Sequence, residues 1–227
     1  GRWINPETQE LASVPFESIV IKESLEGQEA ELLNQFGLSK NLLLVCDETT
    51  YTVLGKRIEN AFRASGEMQV MILDHPHADL SFVRELRSKF SSFDGVVACG
   101  SGTVNDICKH STMLNEQRYA VFATSGSMNG YTSATASMRL DSGLKISLPS
   151  HAPKGFFVDL SVSASAPPYL AASGFGDCLC RSVAQVDWWL SHRLLGTLYL
   201  QSPDIIQEQE EPELNSRAGK LPKGDLE

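Results

Sequence analysis

With 227 residues and a formal net charge of -9, the chain can bury a sizeable core and is too acidic for nucleic acid or an anionic membrane surface to be its main partner. Its longest apolar runs, such as Leu42 to Cys46 and Val70 to Leu73, are far shorter than the roughly 20 residues of a bilayer span. Five cysteines, an odd number without regular spacing, argue against a disulfide framework and fit a reducing cytoplasm, and Gly1 in place of Met, with no signal peptide, suggests a processed or tag-scarred start.

Phe16 to Lys22 alternates like an edge strand, and Gly27 to Phe36 has helical spacing. Asn41 to Asp47 is a continuous apolar run ending in an acid, as a buried parallel strand would be. Thr49 to Ala64 reads as a helix closed by Gly66, Met68 to Leu73 as a strand, Leu80 to Phe90 as a helix and Val96 to Cys99 as a strand. Such alternation predicts an α/β fold with a Rossmann-like parallel sheet covered by helices on both faces.

Val96 then leads through Gly100-Ser101-Gly102-Thr103 into a helix reaching about His110. Glycines there let a backbone approach a ligand closely, and the free N–H groups of the first helical turn favour an anion such as a pyrophosphate. No Gly-Lys-Ser/Thr follows, so this is not a Walker loop, and Asn105 stands where a Rossmann fingerprint has its third glycine. The loop alone therefore predicts an anion site, with a plain turn as the alternative. Tyr119 to Ala123 is the next strand, Thr124 to Ser137 is too rich in small hydroxyl residues to be core, Met138 to Leu148 reads as a hairpin, and Phe156 to Leu160 as another strand.

A domain boundary is placed at Ser163 to Pro168, dividing the chain into residues 1–166 and 167–227. Beyond it, Tyr169 to Ala172 and Phe175 to about Leu195 read as helices, with Leu179, Val183, Val186, Leu190 and Leu194 expected to face a core. Gln207 to Glu227 is polar and acidic, and reads as a mobile tail or a packed segment. No internal repeat is present. Cys178 and Cys180 are expected to be buried helix cysteines, and the five histidines to be surface or packing residues, none at i, i+4 spacing.

Three motifs carry a resemblance: Gly100 to Thr103 with Asp106 and Lys109, the segment Thr124 to Ser133, and Ala172-Ser173-Gly174-Phe175-Gly176-Asp177. In order and spacing they resemble the glycerol-1-phosphate dehydrogenases, within the group that holds glycerol dehydrogenases, iron-containing alcohol dehydrogenases and dehydroquinate synthases. The resemblance implies a nicotinamide cofactor, its pyrophosphate against Gly100, Ser101, Gly102, Thr103 and Val104, its nicotinamide half lined by Thr124, Ser125, Ser127 and Ser133. Asp47 would accept from the adenosine ribose and favour NAD over NADP, the alternative being a helix cap. Asp177, expected at the start of a helix, would be a metal ligand and substrate contact, with zinc as the metal; read without the family it is an N-terminal cap.

Asn129 stands where the family often has a substrate-contacting aspartate. The remaining metal ligands of the family are histidines in a large helical domain, so the chain is expected to be a cofactor domain followed by the first helices of a truncated catalytic domain, inactive by itself. The implied reaction interconverts dihydroxyacetone phosphate and sn-glycerol 1-phosphate in a cytoplasmic homo-oligomer. The alternatives are a polyol dehydrogenase acting on an unphosphorylated substrate and a nucleotide-binding fragment without catalysis.

Overall fold

A computed structural model describes residues 2–14, 16–63, 66–208, 210–221 and 224. In chain order the elements begin with a hairpin of β1 (Arg2–Ile4) and β2 (Leu11–Ser13), which sequence reading did not anticipate. Then come β3 (Ser18–Lys22), α1 (Glu29–Asn34), β4 (Leu42–Asp47), α2 (Glu48–Thr50), a π-helical segment Tyr51–Gly55 and α3 (Lys56–Phe62). They are followed by β5 (Met68–Leu73), α4 (Leu80–Phe90), β6 (Gly95–Gly100), α5 (Gly102–Leu114), β7 (Arg118–Ala123), β8 (Thr135–Arg139), β9 (Lys145–Pro149) and β10 (Gly155–Asp159). Four helices close the series: α6 (Leu160–Ala164), α7 (Pro168–Leu195), α8 (Ser202–Glu208) and α9 (Glu211–Arg217). The expected helix end at Ala64, as well as Gly1, Pro222 and the last three residues of the expected tail, lie outside the described residues.

Among the described residues six strands form one parallel sheet in the order β3-β10-β7-β6-β4-β5. Period-two alternation divides its side chains between two cores. Leu43, Val45, Val96, Ala98 and Val121 pack with Val83, Leu86 and Phe90 of α4 and Ile107 of α5. On the other face Leu42, Leu44, Val97, Ala120 and Phe122 pack with Leu32 and Leu33 of α1 and Ile58 and Phe62 of α3. Each valine, leucine, isoleucine or phenylalanine so buried contributes roughly 1.5–3 kcal/mol. The Rossmann-like sheet with helices on both faces is therefore present, followed by helices from Pro168 onward.

One polar cluster ties the second face together. Arg57 of α3 donates from Nε to Glu29 Oε1 at 2.6 Å and from its guanidinium to Asp159 at the end of β10, both acids having fully buried side chains. Asp159 also accepts from Leu25 N at 2.9 Å and caps α6 through Val162 N.

Three expectations are corrected. Tyr169 to Ala172 and Phe175 to Leu195 are parts of one unbroken helix, α7, which starts on Pro168 and ends at Gly196 in the left-handed region (φ 69°). A glycine inside a helix costs only about 1 kcal/mol, so Gly174 and Gly176 do not interrupt it. The stripe expected to face a core is exposed: Val183 is 65%, Val186 61% and Leu194 71% accessible, and Leu179 and Leu190 are also open. Helical periodicity reports that one face is apolar, not that a neighbour covers it. Third, Cys178 is half-buried and Cys180 exposed, whereas Cys46, Cys99 and Cys108 are buried.

The expected tail is helical in part. Gln201 and Ser202 donate backbone N–H bonds to Glu7 Oε2, which anchors the start of α8 to the turn of the first hairpin. Leu214 and Leu221 line an apolar cavity of about 260 Å³ beside α6 and α7. No helix of the described residues is long and apolar enough to cross a membrane.

Candidate active site

The strand order reverses beside β4. From β4 the chain crosses to β5 on one side, then returns to β6 on the other, so the switch lies between β4 and β6. In open parallel sheets the crevice outside the carboxyl ends of the strands at such a point takes ligands. Here those ends are Asp47 and Gly100. Two clefts flank them, one of about 440 Å³ lined by Asp47, Thr49 and Leu73 among others, and one of about 510 Å³ lined by Gly102, Thr103, Asp106, Met128, Arg139 and Asp177 among others.

The glycine loop turns at the mouth of the larger cleft. Ser101 is the N-cap of α5 in an extended conformation, and its side chain makes no capping bond, so the first-turn N–H donors of this 13-residue helix have no side-chain partner. Gly100 is demanded by the fold, since a Cβ there would sit 2.8 Å from Val104 Cβ. Gly102 is not demanded: its Cβ would meet nothing nearer than Met128 Cγ at 3.8 Å. Thr103 is exposed, and Val104 is buried, leaving only its backbone to meet a ligand.

Asp47 caps the helix that follows β4. Its Oδ1 accepts from Thr50 N at 2.8 Å, while Thr50 Oγ1 accepts from Asp47 N at 3.0 Å. The cap expected as an alternative is thus present, and it uses one carboxylate oxygen. Asp47 also lines the 440 Å³ cleft.

The hydroxyl-rich segment is held from behind. Lys109 of α5, fully buried, donates to the Gly130 carbonyl at 2.9 Å, Ser133 Oγ at 3.1 Å and the Thr135 carbonyl at 3.0 Å. Burial pulls its ammonium pKa down, and Asp106, 3.8 Å away, opposes the fall. The Ser133 hydroxyl is thereby turned to the loop's own interior, 2.9 Å from each of those two carbonyls. Thr124 and Ser125 are buried; Thr124 N donates to the Gly100 carbonyl at 3.3 Å, and Ser125 Oγ to Ser127 Oγ at 3.1 Å.

Asp177 lies inside α7, not at a helix start, so neither the expected position nor the N-terminal cap describes it. Its carboxylate points at the loop. Oδ2 accepts from Asn129 N at 2.8 Å, and Asn129 Nδ2 donates to the Asp177 carbonyl at 3.4 Å. Gly174, one turn earlier, makes that approach possible: a Cβ there would fall 1.7 Å from the Gly126 carbonyl oxygen. Thus α7 lies backbone against backbone on the segment from Gly126 to Asn129 and delivers Asp177 to the same cleft as Gly102 and Thr103.

Residues 20–167 match the iron-containing alcohol dehydrogenases. The chain belongs to the iron-containing alcohol dehydrogenase family. It is 31% identical over 167 residues to a glycerol-1-phosphate dehydrogenase, NAD(P)+, of Bacillus velezensis, an alignment covering 70% of this chain and 42% of that one. Among solved structures it is similar to a probable glycerol dehydrogenase from Sinorhizobium meliloti 1021, with a TM-score of 0.74 at 20% identity over 92% of this chain and 58% of the other. A sulfoacetaldehyde reductase from Bifidobacterium kashiwanohense, solved in complex with NAD+, shares the fold at a TM-score of 0.66 and 16% identity, covering 76% of this chain and 52% of that one. The chain spans about half the length of the curated relatives it matches.

This iron-containing alcohol dehydrogenase family is one of oxidoreductases. Among the described residues of the present member, no group of three or more His, Cys, Asp or Glu side chains is placed to hold a metal. Asp177 is a single candidate donor, and one carboxylate does not hold a catalytic ion. Sequence reading missed two positions that build the site, the buried Lys109 clamp and the close approach at Gly174. Lys109 carried a partial signal, an acid one helical turn earlier at Asp106; Gly174 carried none, because the partner that forbids a side chain is 48 residues away at Gly126.

Proposed function

We propose that this chain binds a nicotinamide dinucleotide across the switch point and serves a dehydrogenase that interconverts dihydroxyacetone phosphate and sn-glycerol 1-phosphate. Residues 1–166 form the cofactor domain, and residues 167–227 begin the helical part that meets the substrate. The observation that carries the reading is Gly102: no described residue excludes a side chain there, yet it borders an open cleft and an uncapped helix N-terminus. A pyrophosphate uses that space. NAD(P) also agrees with the relatives' names and with the NAD+-bound neighbour.

Asp47, Glu48 and Asp74 surround the other cleft and oppose a 2′-phosphate, which favours NAD over NADP. At the nicotinamide end, Ser127 and Asn129 face the side that α7 approaches, and Asp177 is the donor this chain offers to a substrate hydroxyl or to a metal, with zinc as the proposed ion. Further donors are required for that ion, so the part assigned to this chain is to bind and orient the dinucleotide. A second reading, an unphosphorylated polyol as substrate, is favoured by the pairing of Arg139 with Asp79 and opposed by Lys145, a second cation lining the cleft. Comparing dihydroxyacetone phosphate with dihydroxyacetone separates the two.

The direct test is a titration with NADH and then NADPH, following nicotinamide fluorescence, on the wild type and on Gly102→Val. Saturable binding with NADH preferred is expected. The variant should keep its melting temperature and lose affinity by at least about tenfold, or about 1.4 kcal/mol. Equal affinity in the two proteins would remove the glycine loop from the site, and preference for NADPH would remove Asp47.

A further inference from the structure

The β8–β9 hairpin stands outside the main sheet and is fastened at two levels. At its base the Thr135 carbonyl accepts from Lys109, and Ser137 N donates to Asp106 Oδ2 at 3.1 Å. Towards its tip Arg139 N donates to the Ala78 carbonyl at 2.7 Å, and its guanidinium grips Asp79 with two parallel bonds, Nε to Oδ1 at 2.6 Å and Nη2 to Oδ2 at 2.8 Å. Ala78 and Asp79 belong to the connection between β5 and α4, a different part of the chain. Both sides of this tie line the cleft that Gly102, Thr103 and Asp177 line.

We propose that Asp79 and Arg139 are positioning residues for the dinucleotide: paired, they fix the hairpin against the β5–α4 connection and so set the width of the cleft over the glycine loop. The inference rests on the cofactor reading above. A two-bond arginine–carboxylate pair fixes orientation as well as distance. With side chains 48% and 26% exposed, this pair adds little to global stability, so its geometric effect can be separated from folding. Arg139 is spent on Asp79 and is not itself the ligand's cation. Its role is to hold a wall that the ligand meets already formed, which removes the ordering cost of closing the cleft at binding.

The test measures NADH affinity by fluorescence and melting temperature side by side in the wild type, Arg139→Ala, Arg139→Lys and the exchange D79R/R139D. Arg139→Ala should weaken NADH about tenfold with little change in melting temperature. Arg139→Lys, which keeps the charge and loses the second bond, should fall between, and the exchange should recover most of the affinity. Wild-type affinity in Arg139→Ala, or an exchange variant no better than the single one, would overturn the proposal. If Gly102→Val loses NADH while Arg139→Ala keeps it, this inference fails and the cofactor reading stands. A folded wild type that binds no NADH overturns both.

Discussion

Replacing Gly174 by alanine tests the docking of α7 on the loop that it meets. The added Cβ would lie 1.7 Å from the Gly126 carbonyl oxygen and 2.8 Å from its carbon, both backbone atoms that no rotamer change can move. Restoring even a 3.0 Å contact requires α7 to retreat by about 1.3 Å, which also stretches the 2.8 Å bond from Asn129 N to Asp177 Oδ2 out of range. Overpacking of this kind costs about 1–3 kcal/mol and loss of a hydrogen bond to a charged group about 1.5 kcal/mol, against about 1 kcal/mol gained from alanine in a helix. The net is about 1.5–3.5 kcal/mol, or a melting temperature lower by about 3–14 °C in a chain of this size. Gly176→Ala is the matched control. Nothing lies within 4 Å of its Cβ, so only the propensity gain remains and the melting temperature should hold or rise. Thermal unfolding followed by circular dichroism, with amide exchange at Asn129 as the local probe, gives both readouts. Equal melting temperatures for the two variants would refute the close approach.

Burial would raise the Asp159 carboxyl, but bonds from Leu25 N, the Ser161 hydroxyl and Arg57 prevail and hold it at about 2. A folded pKa below the ordinary 3.8 stabilises fully above that value, and the stabilisation is lost as pH falls towards 2. Urea unfolding between pH 5 and 2 should therefore lose about 2 kcal/mol from this group. Arg57→Met, which strands two buried acids, should cost about 3–5 kcal/mol at neutral pH; an unchanged midpoint would count against the cluster. Lys109→Met keeps most of the side-chain volume but leaves the single Ser133 hydroxyl proton to serve both the Gly130 and Thr135 carbonyls, so one loses its donor; it should destabilise by about 1–3 kcal/mol and make the segment from Gly126 to Thr135 exchange faster. An isoenergetic variant would contradict the clamp. With thiol reagent, Cys180 should react first in the native protein, and Cys46, Cys99 and Cys108 only on unfolding; burial, with Asp47 second, pushes the Cys46 thiol up to about 12. Fast labelling of any of those three would disprove the packing.

What the sequence could convey was local. Continuous apolar runs at Leu42 to Asp47 and Val96 to Gly100 marked the central strands because both faces of a parallel strand are buried, and the glycine loop was legible because turn chemistry is written in adjacent residues. Asp47 could be read as cap or ribose acceptor, and the structure has the cap with one oxygen left over. Contacts between distant segments were not legible. Nothing around Gly174 announces the carbonyl of Gly126, and the glycines there suggested a break in a helix that in fact continues. The same limit explains Val183, Val186 and Leu194: periodicity identifies an apolar face of α7 but carries no information about what covers it.

The segment from Thr124 to Thr135 joins the two halves of the candidate site because it is pinned from opposite sides by unrelated means. Behind it, Lys109 replaces a hydrophobic core with a charged clamp on Gly130, Ser133 and Thr135; in front, α7 reaches it through a missing side chain at Gly174 and a carboxylate at Asp177. A buried ammonium with three oxygen partners tolerates little displacement, since each lost bond leaves an unsatisfied group. The loop's backbone is therefore a fixed reference, and α7 takes its position from it. Asn129 acts here through its N–H, which any residue except proline supplies, so Asn129→Asp should keep the backbone bond while setting two carboxylates close together. The expected result is α7 still docked, read as unchanged amide-exchange protection at residue 129 by NMR; fast exchange at that amide would mean that the bond from Asn129 Nδ2 to the Asp177 carbonyl, lost in the variant, is what holds the contact.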